Sequence, residues 1–270
     1  KRPCDGWVRV DPFGHPWILR IFAPQFQKGG MKVFKFGGAS VKDAAGVRNV
    51  AEVLRHFPHD DLLIVISAMG KTTNALEEVV WAYADGRDAL PKVAELEQQH
   101  VKVLNDVAQE DIAARATLEK QFRELRFQLT IPAVLDVDHY YDQFVAFGEL
   151  WSTIIVSAYL NGTGVANKWL DARRIITTDN RHRAANVKWD ALEENCARSM
   201  PSFDHPPHRI VTQGFIGCTE DGHTTTLGRE GSDFSAAIFA YAMDAESVTI
   251  WKDVPGMFNA DPNRFPNTRL

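Results

Sequence analysis

The 270-residue sequence is poor in cysteine, in excess positive charge and in long apolar runs, and each shortage argues against a class of protein. Its three cysteines, Cys4, Cys196 and Cys218, are far apart and odd in number, so they predict no CxxC pair and no disulfide framework. We interpret them as reduced thiols, which are typical of a cytoplasmic protein. The net charge of −5 without a basic stripe argues against a nucleic-acid partner. No apolar run approaches the roughly 18 residues that span a membrane, so we expect no membrane partner.

Several familiar catalytic motifs are also missing. The tripeptide GKT at residues 70–72 resembles the end of a P-loop, GxxxxGK[ST], but the first glycine of that motif falls at Val65. The fingerprint GxGxxG does not follow the first strand, and neither a GxSxG elbow nor an unambiguous Ser/His/Asp set is present. His205 and His208 bracket two prolines, and no acidic or thiol ligands cluster there at metal spacing. We therefore predict no P-loop, no base-activated nucleophile and no protein metal site.

The remaining pattern alternates strands with helices and predicts an α/β fold with a mostly parallel sheet. The unbroken apolar run at residues 61–66 is typical of a strand buried on both faces. A helical tract at 90–129 is interpreted as an insertion that covers the site or contacts another subunit. The other predicted strands are 33–36, 165–170, 174–177, 208–213 and 247–251, and the other predicted helices are 41–57, 75–84, 140–160, 189–199 and 234–243.

Polar loops follow four of these strands, after Phe36, Ile66, Gln213 and Trp251. Ligands of open α/β sheets bind outside the carboxyl ends of the strands, so the four loops predict one site. In the first loop Lys35 stands beside two glycines and a helix start, which favours a bound phosphate. A tight βα turn with an unrelated lysine is the alternative.

Two acidic residues and an arginine are further candidates for this site. Asp233 follows Arg229 in a loop rich in glycine and hydroxyl side chains. Ser232 or Asp233 could instead cap the next helix, but a cap does not explain Arg229. Glu149 lies in an apolar helical stretch, where a buried carboxylate needs a partner. That partner is either an internal salt bridge or the amine of a ligand.

Five motifs in order resemble the aspartate kinases of the amino acid kinase family. They are KFGGASV at 35–41, SAMGKTTN at 67–74, GE at 148–149, GREGSD at 228–233 and WKDVPG at 251–256. The resemblance extends from Met31 to about Pro262. It implies a three-layer sandwich with a mostly parallel sheet between helices. It also implies ATP-dependent phosphorylation of the β-carboxylate of L-aspartate to 4-phospho-L-aspartate, the first step toward lysine, threonine and methionine.

The resemblance also implies roles for individual positions. The catalytic residues would be Lys35, at the transferring phosphoryl group, and Asp233, which would organise that lysine. The substrate-binding residues would be Ser67, Thr73, Glu149, Arg229 and Ser232. The nucleotide-binding residues would be Lys35, Gly37, Gly38, Ser40, Lys252, Asp253, Phe258 and Arg264. Mg²⁺ would be held mainly by phosphate oxygens and water, which its coordination chemistry favours.

The sequence departs from the family pattern at several positions. Ala39 stands where the family usually has Thr or Ser, and Asn263 follows Pro262 where the family has an arginine, with Arg264 one place later. Family members continue into more of the kinase domain and two regulatory ACT modules. We therefore expect residues 31–270 to be an amino acid kinase catalytic domain without its C-terminal part.

Residues 1–30 are predicted to be an N-terminal extension outside the fold, with an arm that packs on the domain as the alternative. The expected partners are L-aspartate, ATP and further copies of the chain in a homo-oligomer. Two other functions stay open at this stage. One is a catalytically inactive fragment with a regulatory or oligomerisation role. The other is an amino acid kinase for acetylglutamate, glutamate, carbamate or a nucleoside monophosphate.

Overall fold

The computed structural model of the chain describes residues 8–9, 18–22, 30–252, 259–260, 264–265 and 267–269. Its strands are β1 (Val8–Arg9), β2 (Ile18–Phe22), β3 (Met31–Phe36), β4 (Asp61–Ile66), β5 (Lys168–Leu170), β6 (Arg209–Gln213), β7 (Ile216–Cys218), β8 (Thr224–Thr226) and β9 (Ser247–Trp251). Its helices are α1 (Ala44–Arg55), α2 (Thr72–Ala84), α3 (Leu90–Ala108), α4 (Ile112–Gln128), α5 (Val137–Gly162), α6 (Leu192–Ser199) and α7 (Gly231–Ala242).

A single sheet with the strand order β1-β2-β9-β3-β4-β6-β5 forms the centre of the fold. The five strands from β9 to β5 are parallel, and helices flank them, as predicted. Phe36 is paired with Ile66 on one side and with Trp251 on the other, and Ile66 is paired with Gln213. The four strand ends that carry polar loops therefore lie in one row at the carboxyl edge, which confirms the prediction.

Residues 8–9 and 18–22 extend this sheet beyond β9. Strand β2 pairs with β9 in the antiparallel sense, and β1 pairs with β2. These segments thus match the alternative of an N-terminal arm that packs on the domain, rather than an extension wholly outside the fold. The start of the catalytic domain at Met31 stays a prediction.

Three local predictions were wrong. No strand forms at 174–177, because Ala172–Arg174 make a 3-10 turn and only Thr177 bridges to Cys218. The hairpin β7–β8 was predicted as loop, since its strands have three residues each and give too short a pattern. Helix α1 begins three residues later than predicted, because the Asp43 side chain accepts the Gly46 N–H as its N-cap.

Helix α5 is the long core helix, and the helical insertion packs against it. The Trp151 ring stacks on Phe122 of α4 at 3.9 Å, and the His100 ring of α3 lies 5.1 Å from Trp151. Within the described ranges α5 is also the one helix that is long and apolar enough to cross a membrane. However, 94% of its most apolar window is buried inside the fold, as in a core helix.

Candidate active site

Lys35 lies at the centre of the row of strand ends and is almost fully buried. Its Nζ is 2.6 Å from Asp233 Oδ1, and Nζ of Lys252 is 3.0 Å from the other oxygen, Oδ2. Burial alone would raise the pKa of Asp233, but the hydrogen bonds and charges of Lys35 and Lys252 outweigh it, so this pKa lies below its usual value. The carboxylate is therefore ionised and shared between two ammonium groups.

Asp233 can make this pair because it does not cap α7. The helix begins at Gly231, and Glu230, in the left-handed region at φ 57°, is the cap residue without a side-chain cap bond. A Cβ on Gly214, just after β6, would meet the Ser232 side chain at 2.6 Å. Glycine there lets the start of α7 approach the end of β6 closely enough for Asp233 to reach Lys35.

The first two polar loops are in direct contact. The Gly70 N–H donates to the Gly38 carbonyl at 3.0 Å, and a Cβ on Gly38 would lie 2.6 Å from the Ala68 carbonyl oxygen. Glycine at position 38 is thus required by the close approach of two backbones. A Cβ on Gly37 would lie 3.7 Å from Nζ of Lys35, so this loop borders the buried lysine.

Hydroxyl-bearing residues flank these glycines. Ser67 is buried, and its carbonyl accepts the Ser152 hydroxyl of α5 at 2.7 Å. Ser40 is half-buried after the first loop, and Thr73 is half-buried in the first turn of α2. The structure therefore places Ser40, Ser67 and Thr73 on the two loops that meet beside Lys35, while Ala39 is exposed.

Glu149 is a buried carboxylate without a counter-ion. Its side chain lies in the middle of α5 with 3% exposure, and within the described residues no ion pair reaches it. Its Oε2 atom has no hydrogen-bond partner in that part of the chain. Burial raises the pKa of Glu149 to about 8, although a backbone bond from Ala68 and the charge of Lys35 act in the opposite direction. Among the described residues, the predicted alternative of an internal salt bridge is therefore not observed.

The loop before α7 carries an exposed guanidinium. Arg229 stands between Gly228, at φ 80°, and Glu230, at φ 57°, and no ion pair joins it to the described residues. Ser232 is half-buried in the first turn of α7. Arg229 is thus a charged side chain beside the first turn of the helix that holds Asp233.

Three predicted nucleotide-binding residues stay predictions. Asp253 and Phe258 lie outside the described residues, and Arg264 is an exposed turn residue near the chain end. Among the residues that the structure describes, no group of three or more His, Cys, Asp or Glu side chains is arranged to hold a metal ion.

Sequence reasoning missed Asp142, which is fully buried on α5 seven residues before Glu149. Its carboxylate accepts the Thr226 hydroxyl at 2.6 Å and the His182 Nδ1 at 2.8 Å. The signal that singled out Glu149, one acidic residue in an apolar helical stretch, is weaker for Asp142, because Asp138, His139 and Gln143 lie close to it in the sequence.

Comparisons with known proteins identify the family of the chain. A profile of the amino acid kinase family matches residues 30–270. The chain belongs to the amino acid kinase family. This amino acid kinase is 34% identical over 246 residues to the chloroplastic bifunctional aspartokinase/homoserine dehydrogenase 1 of Zea mays, covering 88% of the chain and 26% of that relative. It is 31% identical over 231 residues to the lysine-sensitive aspartokinase 3 of Escherichia coli (strain K12), covering 85% of the chain and 50% of that relative.

A solved structure supports the same assignment. The E. coli aspartokinase III complex with aspartate and ADP is 28% identical, with a TM-score of 0.76, over 88% of this amino acid kinase and 53% of that chain. The chain thus spans between about a quarter and a half of the length of these relatives. It is therefore an aspartokinase-like member of the amino acid kinase family.

Proposed function

We propose that this amino acid kinase transfers the γ-phosphoryl group of ATP to the β-carboxylate of L-aspartate and forms 4-phospho-L-aspartate. The observation that carries the proposal is the buried Glu149 carboxylate, whose Oε2 atom has no hydrogen-bond partner in the described chain. An amine of the substrate would supply the missing partner. The aspartokinase likeness of the chain supports the same substrate.

The proposed chemistry needs no general base. A substrate carboxylate has a pKa of about 4 in water, so it is already a nucleophile at neutral pH. One of its oxygens attacks the γ-phosphorus while the bond from that phosphorus to the β–γ bridging oxygen breaks, and ADP leaves with that oxygen. The difficulty is to bring two anions together, so catalysis depends on positioning and on charge neutralisation.

Lys35 would supply that positive charge. Its ammonium group is buried, held by Asp233, and borders the glycine loop at Gly37 and Gly38. Each oxygen of Asp233 already faces a lysine ammonium group, and these two charges would compete with a metal cation for the carboxylate. Mg²⁺ would therefore be held mainly by phosphate oxygens and water, and when bound it would neutralise phosphate charge.

Substrate recognition would use Glu149, whose Oε2 atom has no hydrogen-bond partner in the described chain, and Arg229, which forms no ion pair with the described residues. Arg229 would bind the α-carboxylate through two parallel hydrogen bonds, and Glu149 would bind the α-ammonium group. The β-carboxylate would then face the phosphoryl group beside Lys35. The supporting hydroxyls would be Ser67, Thr73 and Ser232, and the further nucleotide contacts would be Ser40, Lys252, Asp253, Phe258 and Arg264.

The proposal is tested by trapping the product of the 270-residue chain. An acyl phosphate reacts with hydroxylamine to give a hydroxamate, which forms a coloured complex with added Fe³⁺, so the chain is incubated with ATP, Mg²⁺, hydroxylamine and separate carboxylate substrates. We expect product with L-aspartate and none with L-glutamate or N-acetylglutamate, and ADP release with aspartate but not with carbamate or a nucleoside monophosphate. Turnover of another substrate in place of aspartate would overturn the proposal. Calorimetric titration showing no ATP binding would identify an inactive fragment instead.

Replacing Arg229 with alanine tests the assignment of the α-carboxylate contact. We expect the KM for aspartate to rise about 10- to 100-fold, because a charge-assisted bidentate contact is lost, while kcat and the KM for ATP change little. The control is Arg87→Ala, which removes an exposed arginine after α2 that pairs with Asp85. An unchanged aspartate KM in Arg229→Ala would exclude the proposed contact.

We further propose that the protein is a cytoplasmic homo-oligomer that acts in lysine, threonine and methionine biosynthesis, with the helical insertion at the subunit contact. Large apolar side chains on α4 and the following loop support this contact, since Ile112 is 80%, Phe127 66% and Val134 79% exposed. Sedimentation equilibrium should show a mass above 30.3 kDa that Phe127→Glu lowers. A monomer at all concentrations would contradict this assembly.

A further inference from the structure

Asp142 makes an unusually complete set of hydrogen bonds for a buried carboxylate. Oδ1 accepts the Thr226 hydroxyl at 2.6 Å, and Oδ2 lies 2.8 Å from Nδ1 of His182. The Arg183 backbone N–H donates to both oxygens at 3.1 Å. Losing one of these partners is costly, because a buried polar group is then left unpaired.

These partners belong to segments that are far apart in sequence. Thr226 ends β8, three residues before Arg229. Its carbonyl accepts the Ala185 N–H at 3.0 Å, and a Cβ on Gly228 would lie 3.2 Å from the Arg183 carbonyl oxygen. The segment at 182–185 and the end of β8 are therefore held together beside the Arg229 loop, and Asp142 joins both to α5.

The same helix carries Glu149. Asp142 precedes Glu149 by seven residues, which is about two helical turns and about 10 Å of rise on nearly the same face of α5. A rigid helix thus connects the free carboxylate of Glu149 to the anchor of the loop that presents Arg229. The distance between Glu149, which would bind a cation, and Arg229, which would bind an anion, therefore depends on the hydrogen bonds of Asp142.

We propose that Asp142 is a positioning residue that fixes the Arg229 loop relative to Glu149, and so sets the spacing at which the α-carboxylate and α-ammonium of the substrate are bound. The placement of the Arg229 loop depends only on contacts within this chain, whereas the effect of that placement on aspartate binding rests on the proposed function. Asp142 touches neither aspartate nor ATP in this proposal. It acts through Thr226 and through the segment at 182–183.

Two nearly isosteric substitutions test the positioning. Asp142→Asn places an amide group opposite hydrogen-bond donors, and Thr226→Val removes one hydroxyl without changing the side-chain volume much. The matched control is Thr225→Val, since the Thr225 hydroxyl bonds Thr178 at 2.7 Å instead and Thr178 keeps its bond to the Asp179 carbonyl. Thermal unfolding establishes whether each variant folds. If Asp142→Asn does not fold, Thr226→Val still tests the proposal, because it removes only one hydroxyl group.

Amide hydrogen exchange of residues 227–233 gives the readout that does not depend on the substrate. We expect exchange at least about tenfold faster in Asp142→Asn and Thr226→Val, and unchanged exchange in Thr225→Val. A variant that carries both Asp142→Asn and Thr226→Val should exchange no faster than Asp142→Asn alone, because both substitutions disrupt the hydrogen bond between these two side chains. Unchanged exchange in folded Thr226→Val would overturn the proposal.

Kinetics separate a positioning role from a merely structural one. The aspartate KM should rise about tenfold in both variants, while kcat and the KM for ATP stay within about twofold of the wild-type values. Altered exchange with an unchanged aspartate KM would overturn the substrate role of Asp142. If the wild-type chain does not phosphorylate aspartate, the proposed function is wrong, and the exchange experiment still decides whether Asp142 positions the loop.

Discussion

At the scale of single residues, the site holds two carboxylates whose pKa values move in opposite directions. The pKa of Asp233 is lowered, although burial opposes this, because Lys35 and Lys252 both bind it. The pKa of Glu149 is raised to about 8 by burial, because Lys35 acts on it only at a distance. The difference in surroundings supports different roles. Asp233 would act as the counter-ion of the two lysines, and Glu149 would bind a cation of the substrate.

Glu149→Gln tests this difference through the pH dependence of stability. A carboxyl group whose pKa is higher in the folded than in the unfolded state stabilises the fold below its unfolded pKa, and this contribution is lost as pH rises through the folded pKa. Between about pH 4.5 and 8 we therefore expect the free energy of unfolding of the wild type to fall relative to Glu149→Gln, by up to about 1.4 kcal/mol per pH unit. Denaturant unfolding at several pH values measures it.

Aspartate binding should lower the raised pKa of Glu149, because a bound ammonium group favours the ionised carboxylate. Below pH 8 we expect wild-type binding to release a proton, detected by calorimetry in buffers of different ionisation enthalpy. Glu149→Gln should bind aspartate weakly and release none. The control is Glu119→Gln, on the solvent side of α4. Parallel stability curves for the wild type and Glu149→Gln would contradict a raised pKa at this position.

At the scale of elements, the two glycine loops operate as one unit because their backbones touch. In Gly38→Ala the new Cβ would lie 2.6 Å from the Ala68 carbonyl oxygen, so the loops must separate. We expect the KM for ATP to rise at least about tenfold with the fold retained, since the loops no longer fit the phosphates together. Gly162→Ala is the control, because a Cβ there meets nothing within 4 Å. Equal ATP KM values in both variants would exclude this role for Gly38.

The helical insertion depends on a buried histidine. The His100 side chain is buried, and this burial lowers its pKa to about 4. A histidine whose pKa is lower in the folded state stabilises the fold above its unfolded pKa of about 6.5, and this contribution is lost as pH falls toward 4. We expect His100→Phe to lose less stability than the wild type between pH 6.5 and 4, as measured by chemical denaturation. A wild-type curve as flat as that of the variant would contradict a buried neutral imidazole.

At the scale of the whole molecule, the described site residues from Lys35 to Lys252 and the five parallel strands all come from the part of the chain that begins at Met31. We therefore expect a variant that begins at Met31 to unfold cooperatively and to bind aspartate as the complete chain does. Because β2 pairs with β9, the amides of β9 should exchange faster in this variant. Circular dichroism melts, titration and hydrogen exchange measure these outcomes. Loss of cooperative unfolding would show that the catalytic domain starts before Met31.

The sequence by itself determined the parallel sheet and the row of four polar loops. Short unbroken apolar runs such as residues 61–66 are typical of strands covered on both faces, and parallel strands bring their carboxyl ends to one edge. The motif around Lys35 and the isolated carboxylate of Glu149 could be found in the same way, because each is a local departure from its surroundings. Short strands such as β7 and β8 could not be found in this way, because three residues are too few to show the alternation of a strand.

Only the tertiary structure decided which ion-pair and hydrogen-bond partners each charged side chain has. Asp233 binds Lys35 and Lys252 instead of capping α7, and Glu149 has no counter-ion in the described chain. Asp142 joins α5 to Thr226, and no local pattern indicates that contact. The physical reason is that the energy of a buried charge depends on groups that arrive from distant segments, whereas strand and helix patterns depend on neighbours along the chain.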